Sequence, residues 1–231
     1  MKILHNVQLD WITPDAQRVI ARHARVSAKN PDKEEFTKLL NYCIRHGHWS
    51  VFEQASASFE IITSRAISAQ IMRHKSFNFQ ETSQRYCDPL DVLEEEEEVC
   101  WDFELRRQDV KNRQNSTADL DIEIAAKFKQ RISDTYWEIK KLYKDMIAAD
   151  VAKECARNIL PMCAPTKIYM TGSIRSFLHY VGLRASIETQ SEHRNIAKQI
   201  ANSLENCIPV IAQAVKIAAE NDRSLRGWIQ L

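Results

Sequence analysis

Glycine is scarce in this chain: 4 residues in 231. No GxGxxG or GxxxxGK[ST] loop occurs, so a Rossmann or P-loop phosphate cradle has no support. A nucleotide would have to be held by arginines and helix ends instead. Charge of one sign is also missing. The formal net charge is +1, which gives no global basic field for gripping nucleic acid without sequence preference. The 6 cysteines, Cys43, Cys87, Cys100, Cys155, Cys163 and Cys207, form no CxxC pair. Without a secretory leader, such spacing argues against a disulfide framework and predicts packed thiols in a reducing cytosol. No Cys/His cluster of zinc-ligand spacing occurs, so no metal is expected. The first residues, MKILHNVQLDWITP, are too polar for a signal peptide, and no apolar run is long enough for a membrane span. The expectation is a soluble cytoplasmic protein.

What is present is ordinary for a globular chain: 44% apolar and 27% charged residues. The length suits one domain over residues 1–231, with 87–121 as an acidic and polar insertion. Periodicity predicts a strand over 1–12, helices over 14–26 and 32–46, and a stop at Gly47. A strand follows over 55–63, then a helix capped by Ser64 and an aperiodic loop over 76–89. A long helix starts at Asp121 and runs to about 149, a short one covers 151–158, and 167–170 read as a strand. Ser173 caps a helix closed by Gly182, and a last long helix covers 186–221. The sum is α+β, with a central antiparallel sheet and long helices packed on it.

Chemistry concentrates in Arg73-His74-Lys75-Ser76-Phe77-Asn78-Phe79-Gln80-Glu81-Thr82-Ser83-Gln84-Arg85-Tyr86. Gln70, Arg73 and His74 share one helix face, and Arg73 and Arg85 have the forked geometry that grips phosphate. A backbone grip on nucleic acid through Arg65, Arg73, Lys75 and Arg85 is the competing reading, and the near-zero net charge argues against it. Ser83 lacks an evident His-Asp pair to make it a nucleophile. His23, His46 and His193 read as surface or satisfied core histidines.

The order of blocks resembles the flavin-dependent thymidylate synthases. Their Arg-His-Arg, seven residues, Ser and Arg-Tyr signature appears as Arg73-His74-Lys75, Ser83 and Arg85-Tyr86. Upstream stands Gly47-His48-Trp49-Ser50-Val51-Phe52-Glu53; downstream stand Ala156-Arg157-Asn158-Ile159-Leu160-Pro161 and Arg175, His179, Leu183-Arg184. Lys75 replaces the usual Arg, Gln54 a frequent His, and Ser173 a frequent Asn. The resemblance implies methylation of dUMP to dTMP by FAD, NADPH and methylenetetrahydrofolate without an enzyme nucleophile. It further implies a homotetramer whose subunits share each active site. Gln70, Arg73, Glu81, Thr82, Ser83, Arg85, Arg157 and Arg184 match dUMP positions, with Arg184 as the catalytic cation polarising the pyrimidine. Flavin positions are matched by His48, Ser50, Glu53, Arg73, His74 and Lys75, and by Ser76, Gln80, Glu81, Arg175 and His179.

Overall fold

The computed structural model of the chain describes residues 5–88 and 103–231. Strands are β1 (Asn6–Ile12), β2 (Ser56–Ser64), β3 (Phe77–Glu81), β4 (Arg107–Gln108), β5 (Ser116–Thr117) and β6 (Pro165–Ser173). Helices are α1 (Ala16–Ala24), α2 (Thr37–Arg45), α3 (Arg65–Ile71), α4 (Ile122–Ala148), α5 (Lys153–Ala156), α6 (Ile174–Arg184), α7 (Ser191–Cys207) and α8 (Pro209–Ala219). Turns of 3₁₀ helix cover Trp49–Glu53, Arg157–Ile159 and Arg223–Ile229.

Four strands form a sheet in the order β1-β2-β6-β3. Tyr169 bonds Glu60 and Thr171 bonds Ser58, so β2 and β6 run antiparallel. Phe77 faces Gly172 while Thr82 donates to the Lys167 carbonyl, so β3 and β6 do the same. The inner strand β2 is buried at most positions and β6 over much of its first half, whereas edge strand β1 alternates. The fold class is therefore the α+β one that periodicity implied.

The chain divides into two compact units. One holds Ile62–Ala69 and the described residues of Glu81–Ile168. Its small core joins Tyr136 of α4 to Ala164, with Leu160 and Cys163 packed against them. Asp121 caps α4 by accepting from the backbone N–H groups of Glu123 and Ile124. The other unit holds His5–Ile61, Gln70–Gln80 and Tyr169–Leu231. There Phe177 meets Phe59 and Phe77 edge-on, with ring centroids 5.0 and 4.8 Å apart. Trp228 is buried and donates its indole N–H to the Leu178 carbonyl at 2.8 Å. Among the described residues no helix is long and apolar enough to cross a membrane.

Several expectations need correction. The stretch read as an aperiodic loop contains β3: Phe77 and Phe79 alternate with Asn78 and Gln80, a two-residue period diluted by polar neighbours. Gly182 does not close its helix, which continues to Arg184. Glycine is needed there because a Cβ would lie 2.3 Å from the Ser224 carbonyl oxygen. The last helix is two, broken where Pro209 forces Ile208 out of helical geometry (φ −133°, ψ 56°). Residues 32–36 are not helical. The Arg25 guanidinium instead draws the carbonyls of Lys33 and Glu35 onto itself. The polar 91–121 stretch carries the antiparallel β4–β5 hairpin, with Arg107 opposite Thr117. The acidic run 94–98 and Cys100 lie outside the described residues.

Candidate active site

α3 ends at Ile71, so Arg73 and His74 lie beyond it and do not share a helix face with Gln70; the chain tightens there and the His74 N–H donates to the Ile71 carbonyl. This presents the His74 ring to α6, where Arg184 donates from Nε to His74 Nε2 at 2.9 Å. Burial, then the cations of Arg184 and Arg73, pull His74 down to about 4. The imidazole is therefore neutral near pH 7, and its Nε2 is an acceptor. Among the described residues no carboxylate pairs with Arg184. Its two terminal nitrogens remain for a ligand.

Behind this contact Tyr180 lies one helical turn before Arg184 and is buried. Its hydroxyl is 3.0 Å from His193 Nε2. His193 Nδ1 is 3.3 Å from Gln70 Oε1, and Gln70 Nε2 donates to Gln190 Oε1 at 2.7 Å. His193 is wholly buried, so the satisfied-core reading of that residue holds. Tyr180 carried no sequence signal except its i, i+4 spacing to Arg184.

A second group lies in the same unit. Gly47, at φ 70°, turns the chain into the 3₁₀ segment that packs on α6, where Glu53 reaches Arg175, while the His48 ring lies against Tyr42 and His46 at the end of α2. Arg175 pairs with Glu53 at 2.5 Å, and Trp49 meets His179 edge-on at 4.5 Å. Burial, then Arg175, lowers the pKa of His179, with Asp222 opposing. Ser173 is used locally, accepting from the Ser176 N–H as the cap of α6. Lys75, Ser76 and Gln80 are exposed. A cavity of about 780 Å³ opens beside Trp49, lined in part by Lys38, Asn41, Arg45 and Asn221. None of the residues matched to a dUMP or flavin position lines it.

Glu81, Thr82, Ser83, Arg85 and Arg157 fall in the other unit. There the Glu81 carboxylate is already well held: Ser68 donates at 2.6 Å, Thr166 at 3.1 Å, and Arg65 pairs at 2.5 Å. Thr82 is tied to the Lys167 carbonyl. Arg85 pairs with Glu154 at 2.9 Å, and Lys153 donates to the Tyr86 carbonyl. These two links bring the 85–86 turn to α5, which leads directly into Arg157. Arg65, weighed from sequence only as a nucleic-acid grip, instead fixes Glu81.

Comparison with known proteins gives the family. The chain matches the thymidylate synthase complementing protein family over residues 9–210. It is 44% identical over 198 residues to a flavin-dependent thymidylate synthase of Synechocystis sp., covering 86% of this chain and 88% of that one. A probable flavin-dependent thymidylate synthase of Paramecium bursaria Chlorella virus 1 is 41% identical over 204 residues, covering 87% and 90%. In fold, the chain is similar to the UMP/dUMP methylase PolB of Streptomyces cacaoi, crystallised with 5-Br dUMP. The TM-score is 0.76 at 21% identity, covering 92% of this chain and 94% of that one. A flavin-dependent methyltransferase is the class of enzyme these matches define. The chain belongs to the flavin-dependent thymidylate synthase family.

Proposed function

We propose that this chain converts dUMP to dTMP, taking its one-carbon unit from methylenetetrahydrofolate and its reducing equivalents from NADPH through bound FAD. The observation that carries the reading is the Arg184–His74 contact. A guanidinium held by a neutral ring keeps its whole charge for something else. Uracil C5 is a poor nucleophile and becomes reactive when negative charge builds on the ring carbonyls. A fixed cation in a half-dry site stabilises that charge, an effect of the oxyanion-hole kind. Arg184 is the group we assign to it.

The family resemblance assigns Arg73, Ser83, Arg85 and Arg157, with Gln70 and Thr82, to the nucleotide. Glu81, fixed by three donors, orders the strand end that carries Thr82 and Ser83. The donor set at the start of α6 fits FAD: Arg175 and His48 suit a pyrophosphate, while Ser50, Glu53 and His179 supply neutral or accepting partners. His74, Lys75, Ser76 and Gln80 border the same flavin site. Bound FAD supplies the redox chemistry. No protein nucleophile is needed on this reading. Cys43 is buried and its thiol pushed up, and neither it nor Cys87, Cys155 or Cys207 hydrogen-bonds to the Arg184 network.

The whole chain acts as one functional domain within a homotetramer. Apolar side chains left half-exposed along α4, among them Ile124, Phe128, Trp137 and Leu142, support association. The test is tritium release from [5-³H]dUMP with FAD, NADPH and methylenetetrahydrofolate, with the product identified by mass. Arg184→Ala is expected to fold and to lose at least about 100-fold in turnover. Full activity in that variant, or a product other than dTMP from the unaltered chain, overturns the proposal.

A further inference from the structure

The buried Tyr180–His193 pair is outside every contact assigned above, yet it stands directly behind two of them. The Tyr180 ring meets the His74 ring edge-on, with centroids 5.0 Å apart at 78°. His193 lies 6.2 Å from His74 at 89°. Hydrogen-bond accounting then sets every proton. Gln70 donates through Nε2 to Gln190, so its Oε1 is the atom facing His193. An oxygen there accepts only, so His193 Nδ1 must carry the hydrogen. Burial, then Arg184 and His74, pull His193 down to about 3, so the ring is neutral and its Nε2 accepts. Tyr180 must therefore donate. The result is a one-way chain: Tyr180 O–H to His193 Nε2, His193 Nδ1–H to Gln70 Oε1, Gln70 Nε2–H to Gln190 Oε1. His74, whose Nε2 is used by Arg184, carries its own hydrogen on Nδ1.

From this geometry we infer that Tyr180 and His193 are positioning residues. The chain fixes which end of the Gln70 amide faces outward, and the two rings fix the plane of His74 against which Arg184 is held. The buried end of the chain, Tyr180 with His193, has one arrangement, because reversing it leaves the Tyr180 hydroxyl hydrogen without an acceptor, while the Gln70–Gln190 end is exposed. Two neutral rings also suit the place better than a carboxylate would, since they orient Arg184 without cancelling its charge. The inference rests on the proposed role of Arg184 for its consequence in turnover, but not for its geometry.

Three variants test it. Tyr180→Phe keeps the ring and removes one hydroxyl. His193→Asn keeps a donor where Nδ1 stood, and His193→Phe removes it. In crystals, Tyr180→Phe and His193→Phe are expected to lengthen or scramble the Gln70–Gln190 and Arg184–His74 contacts, and His193→Asn to retain the first. This readout needs no substrate, so it separates failure of the inference from failure of the proposed function. In turnover, Tyr180→Phe is expected to lower kcat about tenfold with KM for dUMP little changed. His193→Phe is expected to raise KM, and His193→Asn to restore it in part. Ile200→Val, a core change on the same helix α7, controls for simple destabilisation and should leave kcat unchanged. Unmoved contacts in both deletion variants, with kcat and KM equal to those of the Ile200→Val control, would overturn the inference.

Discussion

Gly182→Ala sets helix propensity against packing, and the two differ in sign. In an exposed helix interior the change stabilises by about 1 kcal/mol. Here a Cβ would lie 2.3 Å from the Ser224 carbonyl oxygen and 2.8 Å from Leu225 Cα. Both are backbone atoms and cannot swing aside. The approach is mutual, since a Cβ on Gly227 would lie 2.2 Å from the Val181 oxygen. Relief requires α6 and the 223–229 turn to separate by about 1 Å, and overpacking of that order costs ~1–3 kcal/mol. Taking the upper value against the propensity gain leaves a net loss of about 2 kcal/mol. For a chain of this size that is a fall in Tm of about 4–8 °C. Arg184 sits two residues further along α6, so its 2.9 Å contact with His74 should loosen and kcat should fall as well. Thermal melting followed by circular dichroism, paired with tritium release from [5-³H]dUMP, reads both. A variant that melts at or above the parent temperature with unaltered turnover would refute the packing argument.

Acid should destabilise the fold through His74 and His193. Their folded values of about 4 and about 3 lie below the unfolded value near 6.5, so the unfolded chain takes up more protons between these limits. Stability present above pH 6.5 is then lost as pH falls toward 3. Urea midpoints at pH 7 and pH 5 measure the loss, and an equal loss in His193→Phe would contradict the assignment to that ring. Arg175→Ala is expected to weaken FAD affinity about tenfold while shifting Tm little, because exposed ion pairs contribute only ~0–1 kcal/mol. Flavin titration by fluorescence checks it, and unchanged affinity would remove Arg175 from the flavin site. For Ser83→Ala we expect KM for dUMP to rise several-fold, the worth of one hydrogen bond of about 1 kcal/mol, with a smaller change in kcat. Loss of rate at saturating dUMP with affinity intact would point to a chemical role instead.

Local signals were legible where one residue settles the geometry. Ser64, Asp121 and Ser173 were all readable as helix starts, because a capping oxygen acts on N–H groups two or three positions ahead. The Arg73–Tyr86 block was legible as chemistry but not as structure. Two phenylalanines among polar residues give too little apolar density to stand out as an edge strand, and only β6 beside them makes β3 a strand. Gly182 and Arg25 show the other limit. What each does is decided by backbone more than forty residues away in the first case, and by side-chain capture of carbonyls in the second. Pairing of Arg184 with His74 spans 110 positions, so no window of sequence contains it. The order of the motif blocks matched both residues to site positions of the resembled family without revealing that one donates to the other.

The groups that hold Arg184 are neutral rings, so nothing in its hydrogen-bonded surroundings cancels its charge. On the proposed function, this arginine is kept for a pyrimidine and not for the fold. Selection for heat tolerance alone, with no demand for product, would therefore discard this arginine early. The survivors would be well folded and inert.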